Sequence, residues 1–174
     1  MPELRHDPLH DTWVIAAPQR HTRPRDIALE PVTAEATPCP FCPGREQETP
    51  PALVTVGEDA DWRVRIVANR YPAAAGDTGR HDVVILTPDH ERSLADLDPA
   101  AAAEALGAIQ VRLRQLDAVA DVQAALFFIN VGAGAGASLS HPHGQILATP
   151  VVPAVLRTEV AAQAAWRRDH GTCL

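Results

Sequence analysis

The 174-residue sequence contains no lysine: all 15 basic residues are arginine, set against 22 acidic residues for a formal charge of −7. That balance excludes the broad basic face with which proteins hold nucleic acid or anionic membrane, although it leaves room for a local arginine cluster suited to a phosphate. Long hydrophobic runs are absent too. The longest, residues 124–129, is far short of the ~20 residues that span a bilayer. The start, Met1-Pro-Glu-Leu-Arg-His-Asp, has no apolar core of a signal peptide, so none is expected and the chain is read as cytoplasmic. Aromatics make up only 4%. The three cysteines cannot all pair with one another. Without an export signal, the C-x-x-C pair Cys39 and Cys42 favours metal or redox chemistry over a structural disulfide. What is present is 46% hydrophobic residues and 16 prolines: enough for the core of about one domain, with long loops between its elements.

Alternation of apolar residues predicts strands over 12–17, 62–69 and 82–86, and compact apolar runs predict a buried strand over 123–131 and another over 143–149. Asp98-Pro99 opens a helix, with Asp as N-cap and Pro in the first turn, whose Ala-rich body runs to about 118. A second helix runs from 153 to about 170 and is stopped by Gly171. Residues 31–51, rich in proline, form irregular structure that needs an external staple. Strands joined by hairpins plus one long helix point to an α+β domain with a mostly antiparallel sheet.

The most informative segment runs from Asn130 through Gly132, Gly134 and Gly136 to Ser138, His141, His143 and Gln145. On a strand, positions two apart face one way, so His141, His143 and Gln145 converge. Glycines beside them allow close backbone approach, and their N–H groups can cradle phosphate oxygens. Neutral imidazole is a good nucleophile near pH 7. The alternative is a pair of satisfied core histidines. Cys39-Pro-Phe-Cys42 can chelate one tetrahedral ion, or act as a redox pair. An ion needs two more ligands, for which His90 and His141 are the candidates. They are so distant in sequence that only a fold unites them with the cysteines. Arg20 and Arg23, in a proline-bounded basic loop at 18–25, suit bidentate phosphate recognition unless they are simply solvated. Asn69, Asn130 and Ser138 are either ligand-binding or ordinary turn residues. His6, His10, His21, His81 and His170 lack a partner motif and are read as surface or structural. Trp13, Trp62 and Trp166 are read as core or interface.

His141-Pro-His143-Gly-Gln145 resembles the H-x-H-x-Q signature of the galactose-1-phosphate uridylyltransferase branch of the histidine-triad superfamily. The resemblance implies a histidine-triad-like fold. It also implies that His143 attacks the α-phosphorus of a nucleoside diphosphate sugar and that Gln145 donates to a non-bridging oxygen. Ser138 and Asn130 match positions near phosphate and nucleotide, Asn69 a nucleoside-binding turn, and Arg20 and Arg23 a sugar-phosphate element. Members with a zinc site use the set matched here by Cys39, Cys42, His90 and His141, which makes the Zn2+ structural. The implied reaction moves a uridylyl group from UDP-glucose to galactose-1-phosphate in a homodimer. The wording Gly-Ala-Ser-Leu-Ser-His is closer to relatives that handle adenylyl groups, such as ADP-glucose phosphorylase, so an adenylyl transferase is the alternative. A non-catalytic nucleotide-binding half is another. Family enzymes are about twice this length and contain two similar halves. Residues 1–152 are accordingly expected to be the N-terminal domain, with 153–174 a helix leading into a second half, where Cys173 would begin another cysteine pair.

Overall fold

Period-two patterning over the middle of the chain builds one sheet, and the helix capped at Asp98 covers one of its faces. A computed structural model describes residues 1–9, 12–23, 38–58, 60–92 and 94–173. In chain order the elements are β1 (Glu3–Asp7), β2 (Thr12–Ala16), β3 (Ala52–Glu58), β4 (Asp61–Ala68), β5 (Arg80–Ile85), α1 (Pro99–Asp117), β6 (Ala124–Phe128), β7 (His143–Thr149) and α2 (Ala154–His170). Strands β1 and β2 pair as a separate two-stranded sheet. The other five lie in the order β3-β4-β5-β7-β6, every neighbouring pair antiparallel. This is the α+β class that the element pattern predicts. No helix among the described residues is long and apolar enough to cross a membrane.

The two faces of the sheet are sorted by residue parity. Val64, Ile66, Val84, Ile146 and Ala148 pack against Ala105, Ala108, Ile109 and Leu116 of α1. Trp62, Val67, Val83 and Ile85 form a second cluster on the opposite face, joined by Phe41. Trp62 has the parity of Val64 yet lies with the second cluster, because a bulge intervenes. Val56 pairs with Val64 but Gly57 with Trp62, so Arg63 is an extra residue on β4. One inserted residue reverses the face of everything before it. Gly57 makes this possible at φ 98°, where an added Cβ would stand 2.5 Å from the Asp61 carbonyl oxygen.

Helix α1 is capped at its N-terminus and tied to the sheet near its C-terminus. The Asp98 carboxylate accepts from the amides of Ala100 and Ala101 at 3.0 and 2.9 Å. Arg112 Nε donates to Asp82 Oδ2 on β5 at 2.8 Å, a pair 15% and 4% exposed. On β5, then, Asp82 and Val84 face the helix. His81, Val83 and Ile85 face the other way, and the register sets Val83 opposite Gln145 and Ile85 opposite His143.

Several expectations need correction. Strands β1 and β3 have no counterpart among the strands that alternation predicts. The strand expected to be buried over 123–131 is shorter and lies at the sheet edge, with Leu126 52% exposed; an edge strand has only one neighbour, however apolar its sequence. Of the three tryptophans read as core or interface, Trp62 is in the core and Trp13 and Trp166 lie outside it. His81, read as surface or structural, is buried on the face shared with His143. Pro24 and Arg25 of the basic loop, residues 31–37 of the proline-rich stretch, and His10 lie outside the described residues.

Candidate active site and metal centre

Cys39 and Cys42 sit on a tight turn in which the Cys42 amide donates to the Cys39 carbonyl and the Phe41 amide to the Cys39 sulfur, at 3.3 and 3.4 Å. The turn is held over the sheet because Trp62 Nε1 and the Gly44 amide both donate to Glu46 Oε1, at 2.8 and 3.0 Å. This brings the four ligand atoms of Cys39, Cys42, His90 and His141 within 4.8 Å of one another. Cys42 Sγ lies 3.3 Å from His90 Nδ1 and 3.7 Å from His141 Nδ1. The outer ring nitrogens explain the orientation. His141 Nε2 lies 2.8 Å from the Thr87 carbonyl, which can only accept, so Nε2 carries the proton and the Nδ1 lone pair points at the sulfurs. His90 Nε2 is likewise engaged, 2.9 Å from Ser140 Oγ. Burial lowers the His141 pKa, keeping the ring neutral as a ligand must be. Burial also pushes the Cys39 thiol up to about 11, a cost that a bound dication reverses. Two sulfurs and two inward lone pairs fit a closed zinc site.

Strand β7 starts beside this cluster. His143 Nδ1 lies 2.8 Å from the His141 carbonyl oxygen, so Nδ1 donates and the basic lone pair resides on Nε2. Phe41, between the two cysteines, meets both rings edge-on, with centroids 6.0 Å from His141 and 5.4 Å from His143. The same loop that presents the sulfurs therefore packs against the second histidine. Gly144 is required by its neighbour on β6: an added Cβ would stand 2.4 Å from Phe127 Cε2. Gln145 is buried, and its Oε1 lies 2.9 Å from His81 Nε2.

The remaining predicted residues form the rim. Arg20 lies in a short 3-10 turn, Pro18–Thr22. Its Nη1 donates to the Tyr71 carbonyl at 2.6 Å and approaches His81 Nδ1 at 3.4 Å. Burial, with Arg23 beside it, lowers the pKa of Arg20, as expected of a cation held where an anion would relieve it. Arg23 Nη2 donates to the Gly136 carbonyl at 3.1 Å, tying the arginine turn to the glycine loop. Both arginines thus contact their own chain, and Arg20 lines a cleft of about 320 Å³ with Gln19, Arg70 and Tyr71. Asn69 Oδ1 accepts the Tyr71 amide at 2.8 Å, so its carbonyl oxygen closes a turn. Asn130 and Ser138 are half-buried at the two ends of the glycine loop. Within that loop the amides of Ala135 and Ala137 donate to the Gly132 carbonyl. Gly132 and Gly136 adopt positive φ with open space where a Cβ would be. Sequence reasoning missed Phe41 and His81. The one signal available for His81 was its parity with Val83 and Ile85, which places it on the face of Gln145.

Strand β7, which carries His143 and Gln145 while His141, expected on the same strand, lies in the bend just before it, is docked on a Cys2His2 cluster within an antiparallel sheet and defines the class. The chain belongs to the galactose-1-phosphate uridyl transferase family, whose N-terminal domain model matches residues 51–153. Among particular relatives, ADP-glucose phosphorylase of Arabidopsis thaliana is 36% identical over 99% of this chain and 55% of its own length. Galactose-1-phosphate uridylyltransferase of Streptomyces lividans is also 36% identical, over 85% of this chain and 38% of its own. The crystal structure of an Arabidopsis thaliana ADP-glucose phosphorylase with bound ADP-glucose superposes with a TM-score of 0.72 at 37% identity, over 99% of this chain and 56% of that one. The chain spans about half the length, or less, of these relatives.

Proposed function

We propose that this chain is the N-terminal, histidine-bearing part of a nucleotidyltransferase that works through a covalent nucleotidyl-histidine. The observation that carries the reading is the tautomer of His143: its Nδ1–H is spent on the His141 carbonyl at 2.8 Å, which puts the nucleophilic lone pair on Nε2. In the first step His143 Nε2 attacks the α-phosphorus of a nucleoside diphosphate glucose. An N–P bond forms, the bond from phosphorus to the bridging oxygen breaks, and glucose-1-phosphate leaves with that bond's electron pair. The imidazolium so created keeps its Nδ1 proton against the carbonyl. In the second step a phosphate oxygen of the acceptor attacks the same phosphorus, the N–P bond breaks, and neutral imidazole returns.

Phosphoryl transfer of this kind depends mainly on positioning and on neutralising the phosphoryl oxygens. In this reading Gln145 donates its amide hydrogens to a non-bridging oxygen, and Ser138 and the glycine loop hold the phosphates. Asn69 and Asn130 meet the nucleoside side, and Arg20 and Arg23 the departing sugar phosphate. Cys39, Cys42, His90 and His141 would hold zinc, which when bound supplies structural closure and no reactive position.

The favoured donor is UDP-glucose and the favoured acceptor galactose-1-phosphate. A second reading, adenylyl transfer from ADP-glucose, is supported by similarity to ADP-glucose phosphorylase along 99% of the chain. Incubation with either donor, labelled at the α-phosphate, tests both. The expected result is acid-labile, base-stable label on the wild-type chain and none on H143G. Label from the adenine donor alone selects adenylyl transfer. Nucleotide binding without label from either donor reduces the chain to a binding half.

A further inference from the structure

We propose that His81 is a positioning residue that decides which end of the Gln145 carboxamide meets the reacting phosphate; this rests on the transfer reading above. The register sets His81 opposite Leu147 and Val83 opposite Gln145, so His81 is the diagonal neighbour of Gln145 on the same face. Both side chains are buried.

The direction of the bond between them follows by elimination. The Ala73 amide donates to His81 Nδ1 at 2.8 Å, and Arg20 Nη1, also a donor only, approaches the same nitrogen at 3.4 Å. Nδ1 must therefore offer its lone pair, and the single proton of a neutral imidazole sits on Nε2. Burial and the charges of Arg20 and Arg23 keep the ring neutral. Nε2–H then needs an acceptor. Asn69 Nδ2, 3.3 Å away, is an amide nitrogen and cannot accept, since Asn69 Oδ1 already faces the Tyr71 amide. Gln145 Oε1, at 2.9 Å, is the acceptor. With its oxygen held by His81, Gln145 turns its NH2 toward the site. Were the carboxamide reversed, its oxygen would confront the anionic phosphoryl oxygens and repel them. The Ala73 amide, Arg20 and the burial of His81 thus reach the phosphate through one ring and one amide.

The test uses the whole 174-residue chain with labelled UDP-glucose and ADP-glucose, in single-turnover labelling of His143. H81F keeps an aromatic ring without nitrogen; H81Q restores an N–H donor at the reach of Nε2. H81F is expected to slow labelling by about 10- to 100-fold while nucleotide binding changes less than about threefold, and H81Q is expected to recover most of the rate. Wild-type rates in H81F, or an H81Q as slow as a correctly folded H81F, would overturn the proposal. Should H81F fail to fold, 15N-edited NMR of the imidazoles in the wild-type chain decides: an Nε2–H tautomer at neutral pH supports the assignment and an Nδ1–H tautomer defeats it. A wild-type chain that takes no label but shows the Nε2–H tautomer sinks the transfer reading and leaves the His81–Gln145 geometry standing.

Discussion

At the scale of single residues, the site is organised by proton placement on histidine rings. His141, His143 and His81 each have one nitrogen committed to a backbone group: the Thr87 carbonyl, the His141 carbonyl and the Ala73 amide. The first two groups accept and the third donates, so which nitrogen of each ring carries the proton is set without any carboxylate. His81 makes this measurable. Burial first, then the charge of Arg20, lowers its pKa from 6.5 to about 4. Between those values the unfolded chain takes up a proton that the folded chain refuses. The contribution is therefore fully present above pH 6.5 and is lost as pH falls toward 4. Urea unfolding at pH 7 and at pH 4.5 should show the wild type losing about 2–3 kcal/mol more than H81F; equal losses would place the ring in water. Gly144 gives a second residue-scale prediction. Because an added Cβ would meet the Phe127 ring at 2.4 Å, G144A should cost about 1–3 kcal/mol by denaturant unfolding. The shared face of His143 and Gln145 needed only parity on a strand, whereas the need for glycine between them arises from a side chain on another strand.

At the scale of elements, local chemistry set the helices and long-range pairing set the strands. Asp98, Pro99 and Gly171 mark ends that the structure reproduces: Asp98 caps α1, and Gly171 closes α2 at φ 71°. D98A should lose about 1 kcal/mol, read from the unfolding midpoint, because two helix amides lose their acceptor. D82N should cost more, about 3 kcal/mol in the same measurement, since it leaves Arg112 charged and poorly partnered between helix and sheet. The exposed Arg63–Glu104 pair, in contrast, contributes little despite its 2.7 Å contact. Strand β3 was not legible because a strand of half-exposed residues is defined by its partner, and the bulge at Arg63 was hidden for the same reason. The apolar run at 124–128 looked central and proved to be an edge, since composition reports burial propensity and says nothing of how many neighbours a strand acquires.

At the scale of the whole molecule, the cysteine turn and the segment from His141 into β7 are distant in sequence and are joined across 99 residues between Cys42 and His141. A closed Cys2His2 site holding that junction predicts one zinc per chain by elemental analysis. Removing the metal with a chelator, or replacing Cys42 with serine, should lower the melting temperature by roughly 10 °C. It should also abolish labelling of His143, whose ring rests on the Phe41 of the same turn. Unchanged melting after metal removal would dismiss the structural role. The residue types, the strand parity of His143 and Gln145, and the helix ends were determined by sequence alone, because each depends on neighbours within a few positions. The union of Cys39 and Cys42 with His90 and His141, the entry of Phe41 and His81 into the site, and the orientation of the Gln145 amide were decided only by tertiary structure. They are set by strand order and register, through contacts between residues 48 positions apart for Cys42 and His90 and 64 apart for His81 and Gln145, and no local pattern encodes which distant strand will lie alongside.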